Sequence, residues 1–352
     1  MSKIPWINFK EIDFDNVKNL LSKSIRTNQL TNYGPVVKSL EEFFKNKFEI
    51  SNEKCVIAVN NGASALHAMI SGINTYNNKN LQYATQSFTF PCSAQGPLIN
   101  SLIIDIDDEM GLDLNLVNSD EVDGIIITNL FGHVCNISKY TEWSKKYNKL
   151  LIFDNATVTM TKYNEINSLN FGNGSFLSLH HTKPLGYGEG GLIIVDKKYE
   201  NDVRKCINFG FHLEKGILKW NRNGSNYKMS EISAAFILDY LKIFDKIILN
   251  HVELYEYFLK EIRNVKEFSK FPNFSSNTPF VNCFPIIFNK PINNEHLYQL
   301  ELFGITARKY YLPIEYKEKS NDIYERILCL PCNIDINKDT VLYYIKCIKE
   351  II

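Results

Sequence analysis

Short apolar runs recur through the first two-thirds of the chain, each too brief for a helix, with amphipathic stretches between them. Cys55-Val-Ile-Ala-Val59, Leu102-Ile-Ile-Asp-Ile106, Gly124-Ile-Ile-Ile-Thr128, Leu150-Leu-Ile-Phe153 and Gly191-Leu-Ile-Ile-Val195 read as strands. Near-continuous apolar character means burial on both faces. Residues 12–24, 36–47, 63–73 and 138–147 read as helices, the first two separated by the turn Thr31-Asn-Tyr-Gly-Pro35. Strands alternating with helices in this way require a largely parallel sheet covered by helices. The rhythm continues to about residue 225. A long helix is then expected from near Ser230 to about Leu249, followed by Phe284-Pro-Ile-Ile-Phe288, a helix near 294–303 and a last helix near 338–351. The expected fold class is α/β: a mostly parallel mixed sheet in a large domain, residues 1–245, with a smaller α+β domain, residues 246–352.

The 352 residues carry 39 basic and 39 acidic side chains, a formal net charge of +0. No global basic field is present to hold a polynucleotide backbone, so nucleic acid is not an expected partner. No apolar run is long enough to span a bilayer, and the start Met1-Ser-Lys-Ile-Pro-Trp lacks a signal-peptide core. A soluble, cytoplasmic protein is expected. Of the 8 cysteines only Cys329-Leu-Pro-Cys332 are closely spaced. Without a second pair or suitably placed histidines no metal site is expected, and the thiols read as reduced and buried.

The richest local signal is Ser178-Leu-His-His-Thr-Lys-Pro-Leu-Gly-Tyr-Gly-Glu-Gly-Gly191. It sets Lys183 between an apolar run and Gly186, Gly188, Gly190 and Gly191. Glycines let backbone approach closely, and a lysine held against them is either a turn residue or a desolvated amine nucleophile. Upstream, Val59-Asn-Asn-Gly-Ala-Ser-Ala-Leu66 leads a strand into a helix through Gly62. The free amides of Gly62 and Ala63, with the Ser64 hydroxyl, suit a phosphate, though an ordinary capped helix reads the same way. Thr85-Gln-Ser-Phe-Thr-Phe-Pro91 places Phe90 where open α/β sheets bind ligands, either to stack on a flat ring or to pack in the core. Asp154 ends a strong strand. A carboxylate there can neutralise a protonated ring nitrogen or cap a turn.

Taken in order, phosphate loop, stacking aromatic, strand-end aspartate and glycine-embedded lysine resemble the site of a fold-type-I pyridoxal-phosphate enzyme. The chain resembles the DegT/StrS-type nucleotide-sugar aminotransferases over nearly its whole length. The anchors are Thr31-Asn-x-Gly-Pro35, Asn61-Gly-Ala-Ser-Ala-Leu66, Ser87-Phe-Thr-Phe90, Asp154, Ser178-x-His-x-x-Lys183, Gly188-Glu-Gly-Gly191, Asn226-Tyr-Lys-Met229 and Gly304-Ile-Thr-Ala-Arg308-Lys-Tyr-Tyr311. The resemblance implies that Lys183 binds pyridoxal 5'-phosphate as a Schiff base and that Asp154 pairs with its pyridine nitrogen. It implies that Phe90 stacks on the ring, that Gly62, Ala63, Ser64 and Ser178 hold the phosphate, and that Asn226 reaches that phosphate from the second subunit of a homodimer. Lys228 stands where arginine is common, and Arg308 and Tyr310 fall on the substrate side. Two positions depart from the pattern. Thr157 replaces the Gln or His that usually approaches the cofactor's phenolic oxygen, and Tyr310-Tyr-Leu-Pro-Ile-Glu315 lacks the histidine usual at its end.

The implied reaction moves an amino group from L-glutamate to a nucleotide-linked keto sugar. His180, three residues before Lys183, together with Gly-Glu-Gly-Gly, resembles the branch that aminates C4. The substrate implied is a UDP- or dTDP-linked 4-keto-6-deoxyglucose and the product its 4-amino-4,6-dideoxyglucose (viosamine) form. Alternatives are a 3-keto sugar aminotransferase, a sugar dehydratase using the same cofactor, and a non-catalytic cofactor-binding regulator. The retained Lys183 and Asp154 weigh against the last two.

Overall fold

The structure, a computed structural model, describes residues 3–263, 265 and 280–351. After α1 (Phe14–Arg26) and α2 (Pro35–Lys47), the chain runs through β1 (Lys54–Val59), α3 (Gly62–Tyr76), β2 (Tyr83–Gln86), β3 (Leu102–Ile104) and β4 (Gly124–Thr128). α4 (Ile137–Tyr147), β5 (Leu150–Asp154), the small hairpin β6 (Lys162–Tyr163) and β7 (Ile166–Asn167), β8 (Gly174–Ser178), β9 (Gly191–Asp196) and α5 (Glu200–Ile207) follow. A second hairpin, β10 (His212–Glu214) and β11 (Ile217–Lys219), precedes α6 (Glu231–Tyr240) and α7 (Phe244–Ile262). The chain closes with β12 (Cys283–Ile287), α8 (Asn294–Leu302), α9 (Glu318–Arg326), β13 (Ile327–Pro331) and α10 (Lys338–Ile351).

Seven strands form one sheet in the order β1-β9-β8-β5-β4-β2-β3. β9 pairs antiparallel with both β1 and β8, and the remaining pairs are parallel. Both faces are covered, which explains the unbroken apolar runs. Along β9, Leu192 and Ile194 pack towards α2 and α6, whereas Ile193 and Val195 pack towards α3 and α5. Ile125, Ile127, Leu151 and Phe153 form a further cluster with Tyr140 and Trp143 of α4.

The expected strand over 102–106 stops at Ile104, and Ile106 makes only an isolated bridge to Leu112. The expected helix from Ser230 to Leu249 is two helices. α6 ends at Tyr240, a tight turn spans Leu241–Ile243, and α7 runs on to Ile262. From α7 onwards a separate core forms, with Leu254, Phe258, Phe284, Ile286, Leu300, Leu328 and Tyr344 among its members. On that ground we propose residue 245 as the boundary between the two units. The first residues cross it, since Ile4 bridges to Ile305 and packs against the second core.

Glu231, the first residue of α6, is fully buried. Its carboxylate accepts hydrogen bonds from the Val36 and Val37 amides at 2.8 and 2.9 Å and from Ser24 Oγ at 2.6 Å. Pro35 has no N–H to satisfy, so one carboxylate serves the first two available donors of α2 and sits at the positive end of its dipole. Gly34 is required beside it, because a Cβ there would lie 2.4 Å from the Glu231 carboxyl carbon. The Thr31–Pro35 turn is therefore shaped by a carboxylate some two hundred residues away. Glu231→Ala leaves those amides buried without an acceptor, and should lower unfolding free energy by about 1–3 kcal/mol in urea titrations.

Candidate active site

The carboxyl ends of the parallel strands converge on one cavity of about 510 Å³. This is where open α/β sheets place ligands. Its walls include Gly62 and Ala63 after β1, Phe90 after β2, Thr128 and Asn129 at the end of β4, Asp154 on β5, and Ser178, His180 and Lys183 after β8. The carboxyl-terminal third of the chain contributes Asn282, Tyr310 and Tyr311, and the amino-terminal segment contributes Trp6.

Register explains why the phosphate-binding candidates meet. Val59 and Ser178 both pair with Gly191, so the ends of β1 and β8 stand at one level on either side of it. The turn into α3 crosses over Gly191 so closely that a Cβ there would lie 2.3 Å from the Asn61 carbonyl oxygen. The Asn61 side chain caps α3 by accepting from the Ser64 amide at 2.8 Å. Gly62 and Ala63 line the cavity and Ser64 does not. Ser178 Oγ accepts from the His180 amide at 3.2 Å and stays on the wall. Helix amides and one hydroxyl around a concave space suit a phosphate.

Asp154 is buried. One carboxylate oxygen accepts from the Ala156 amide at 2.9 Å, and the other meets Thr128 Oγ1 only at 3.5 Å. Burial pushes its pKa up to about 6, against weaker pulls from the Ala156 amide, the Lys183 charge and Thr128. Lys183 is shifted the opposite way: burial lowers its pKa, and the Asp154 charge opposes that shift. A carboxylate with so little compensation calls for a cation against it, and an amine with a lowered pKa is closer to the nucleophilic neutral form. A protonated pyridine ring carrying an aldehyde and a phosphate meets all three demands. Phe90, 56% exposed at the rim, and Ala156 both line the space available to such a ring. The residues present therefore fit pyridoxal phosphate.

Thr157 lines the cavity and donates to the Asn129 carbonyl at 3.4 Å. His180 also lines it. Its Nδ1 accepts from the Thr182 amide at 3.1 Å, and its Nε2 lies 3.5 Å from the Glu189 carboxylate. Thr182 and Glu189 are cavity residues that sequence reasoning left unassigned. Tyr310 lines the cavity and accepts from Arg308 Nη1 at 2.6 Å, whereas Arg308 stands behind it with its guanidinium 4.8 Å from the Trp6 ring centre. Asn226 and Lys228 do not line this chain's cavity. Lys228 Nζ donates to Asn226 Oδ1 at 2.7 Å and to Asn208 Oδ1 at 2.9 Å, on the segment that follows the β10–β11 hairpin.

All eight cysteines are buried and free. Among the described residues no helix is long and apolar enough to cross a membrane, and no cluster of three His, Cys, Asp or Glu side chains could hold a metal.

Residues 12–349 match the DegT/DnrJ/EryC1/StrS aminotransferase family. A dTDP-4-amino-4,6-dideoxy-D-glucose transaminase of Shigella dysenteriae is 26% identical over 354 residues, covering 92% of each chain. A UDP-4-amino-4,6-dideoxy-N-acetyl-beta-L-altrosamine transaminase of Campylobacter jejuni is 24% identical, covering 97% of each. Among solved structures, DesI in the presence of its TDP-sugar product aligns with a TM-score of 0.84 at 18% identity, over 99% of this chain and 94% of that one. Helicobacter pylori PseC, an aminotransferase involved in pseudoaminic acid biosynthesis, also gives 0.84, at 16% identity and 99% of both chains. The fold is that of the fold-type-I sugar aminotransferases.

The raised pKa of Asp154 has a sign that can be checked on cofactor-free protein. A carboxyl group whose folded pKa lies above its unfolded value favours folding below pH 3.8, and that contribution is lost as pH rises through about 6. Relative to Asp154→Asn, the wild-type chain should lose about 2–3 kcal/mol of unfolding free energy between pH 4 and pH 7 in urea titrations.

Proposed function

The chain belongs to the DegT/DnrJ/EryC1/StrS aminotransferase family, and we propose that it transfers an amino group from L-glutamate to C4 of a nucleotide-linked 4-keto-6-deoxyglucose. It is a transaminase that works with pyridoxal 5'-phosphate. The proposed product is the 4-amino-4,6-dideoxyglucose (viosamine) nucleotide, with dTDP or UDP as carrier. The observation that carries this reading is the convergence of Lys183, Asp154 and the start of α3 on one cavity. Relatives from Shigella dysenteriae and Escherichia coli that bear the name dTDP-4-amino-4,6-dideoxy-D-glucose transaminase support the choice of carbon and sugar.

When bound, the cofactor supplies an electron sink for the carbon that loses its proton. This chain's residues do the rest. The Gly62 and Ala63 amides and Ser178 Oγ would hold the phosphate, and Phe90 would lie against the ring. Asp154 would keep its charge opposite the ring nitrogen. Lys183 Nζ would hold the cofactor covalently between turnovers and carry the proton to and from the substrate carbon. Trp6, Tyr310 and Tyr311 line one side of the cavity and would exclude water from the bound cofactor there. His180 and Glu189, which line the same cavity as Lys183, would meet sugar hydroxyls.

The nucleotide-linked sugar and the second subunit meet on the face that carries Asn226 and Lys228. The preceding hairpin exposes Leu213, Ile217, Leu218 and Trp220, each at 64% or more. So much apolar surface on one short hairpin supports burial against a second copy. Asn226 and Lys228 would then complete the partner's cavity.

Borohydride reduction of protein loaded with pyridoxal phosphate should leave the label on Lys183 in peptide mass spectrometry. Lys183→Ala should lower turnover by on the order of 10³-fold or more. A Lys183→Ala variant with wild-type turnover would remove the basis of the assignment. With glutamate and dTDP-, UDP- or GDP-linked 4-keto-6-deoxyglucose, mass and NMR analysis should show a 4-amino product; turnover confined to a 3-keto sugar would refute the C4 reading. Light scattering should give the mass of a dimer, and an active monomer would contradict the shared site.

A further inference from the structure

Lys10 lies before α1 in sequence, yet its ammonium is buried beneath the turn that carries Lys183. The residue is 6% exposed. Its Nζ donates to the carbonyl oxygens of His181 at 2.8 Å, Lys183 at 2.8 Å and Gly186 at 2.5 Å, and stands 4.7 Å from the centre of the Tyr240 ring. An ammonium has three N–H donors and no acceptor, so these three carbonyls saturate it. No acidic side chain is among these partners, and all three bonds converge on one turn.

We propose that Lys10 is a positioning residue for Lys183, fixing the backbone of the 181–186 turn so that the reactive side chain enters the cavity in one direction. This rests on the reading of Lys183 as the reactive amine. Peptide planarity transmits the constraint. The Lys183 N–H is held by the His180 carbonyl at 2.8 Å, which fixes the peptide plane before the Lys183 Cα. The Lys183 carbonyl accepts from both Lys10 Nζ and the Gly186 amide at 3.0 Å, which fixes the plane after it. With both planes set, φ and ψ of Lys183 are set, and with them the Cα–Cβ direction. Only the second plane depends on Lys10. Without the ammonium, the carbonyls of residues 181, 183 and 186 crowd together with no shared cation between them. Burial lowers the Lys10 pKa to about 7, while three carbonyls and the face of Tyr240 favour the charged form.

The test uses the full chain with two variants. Lys10→Met keeps length and apolar stem but removes the donors; Lys10→Arg keeps a cation and its donors. In cofactor-free protein, hydrogen-exchange mass spectrometry should show exchange at the Gly186 amide rising about tenfold to a hundredfold in Lys10→Met, with peptides from the large sheet unchanged. In loaded protein, kcat should fall on the order of 100-fold with KM little altered, the expected consequence of a small misplacement of the reacting group. Lys10→Arg should recover part of both. Wild-type exchange and wild-type kcat in Lys10→Met would overturn the proposal, and so would exchange that rises equally throughout the sheet. Failure of borohydride to label Lys183 in the wild-type protein would instead sink the reading of Lys183, a result separable from the exchange measurement.

Discussion

The site depends on a carboxylate kept in the interior with too few partners. Asp154 has one good amide bond and one long hydroxyl contact, and Lys183 shares its cavity. Each charge is disfavoured by burial and favoured by the other, so neither residue is at rest alone. The cavity is thereby prepared for a ligand that brings a cation to one wall and an electrophilic carbon to the other. The sheet makes that preparation possible. It ends β5 and β8 side by side, and it supplies a backbone stiff enough that the two charges cannot drift apart into solvent.

How much of this was legible in the sequence follows the range over which each signal acts. Lys183, Asp154, Phe90 and the Gly62 turn were readable because strand, turn and side chain are contiguous in the chain, and the structure brings them to one cavity. Ser64 lies off the cavity wall, with its amide taken by the Asn61 side chain, a detail of capping that the letters alone do not display. The break between α6 and α7 has no signature in the sequence, because the apolar period continues across Leu241–Ile243 with no proline or glycine. The opposite direction of β9 left no trace in the run Gly191–Val195, since a strand buried on both faces has the same composition either way. Lys10 and Glu231 were invisible for one shared reason: each is a charged residue most of whose partners are main-chain groups of a distant segment. Main-chain partners carry no residue identity for a pattern to detect.

Asn226, Lys228 and Arg308 mark a different boundary. They fall within anchors of the resemblance, and none lines the cavity of its own chain. For Arg308 the intermediary is visible, since it holds the Tyr310 hydroxyl and covers the Trp6 ring. For Asn226 and Lys228 the proposed surroundings would be set by assembly, which sequence order within one chain does not encode.

The segment between Ser178 and Gly191 is a hairpin whose two legs are neighbouring strands. The ladder of β8 and β9 continues into it, through Leu179 N–H to the Gly190 carbonyl and His181 N–H to the Gly188 carbonyl, both at 2.8 Å. The height of the lysine above the sheet is therefore counted in rungs. Losing a residue from the paired leg, between Gly188 and Gly191, would not merely shorten a loop. It would either break these rungs or slip β9 by one place against β1 as well as β8, which exchanges the faces of Leu192, Ile193, Ile194 and Val195 in two cores. In the legs of the loop that carries Lys183, for that reason, the chain can change letters more freely than length.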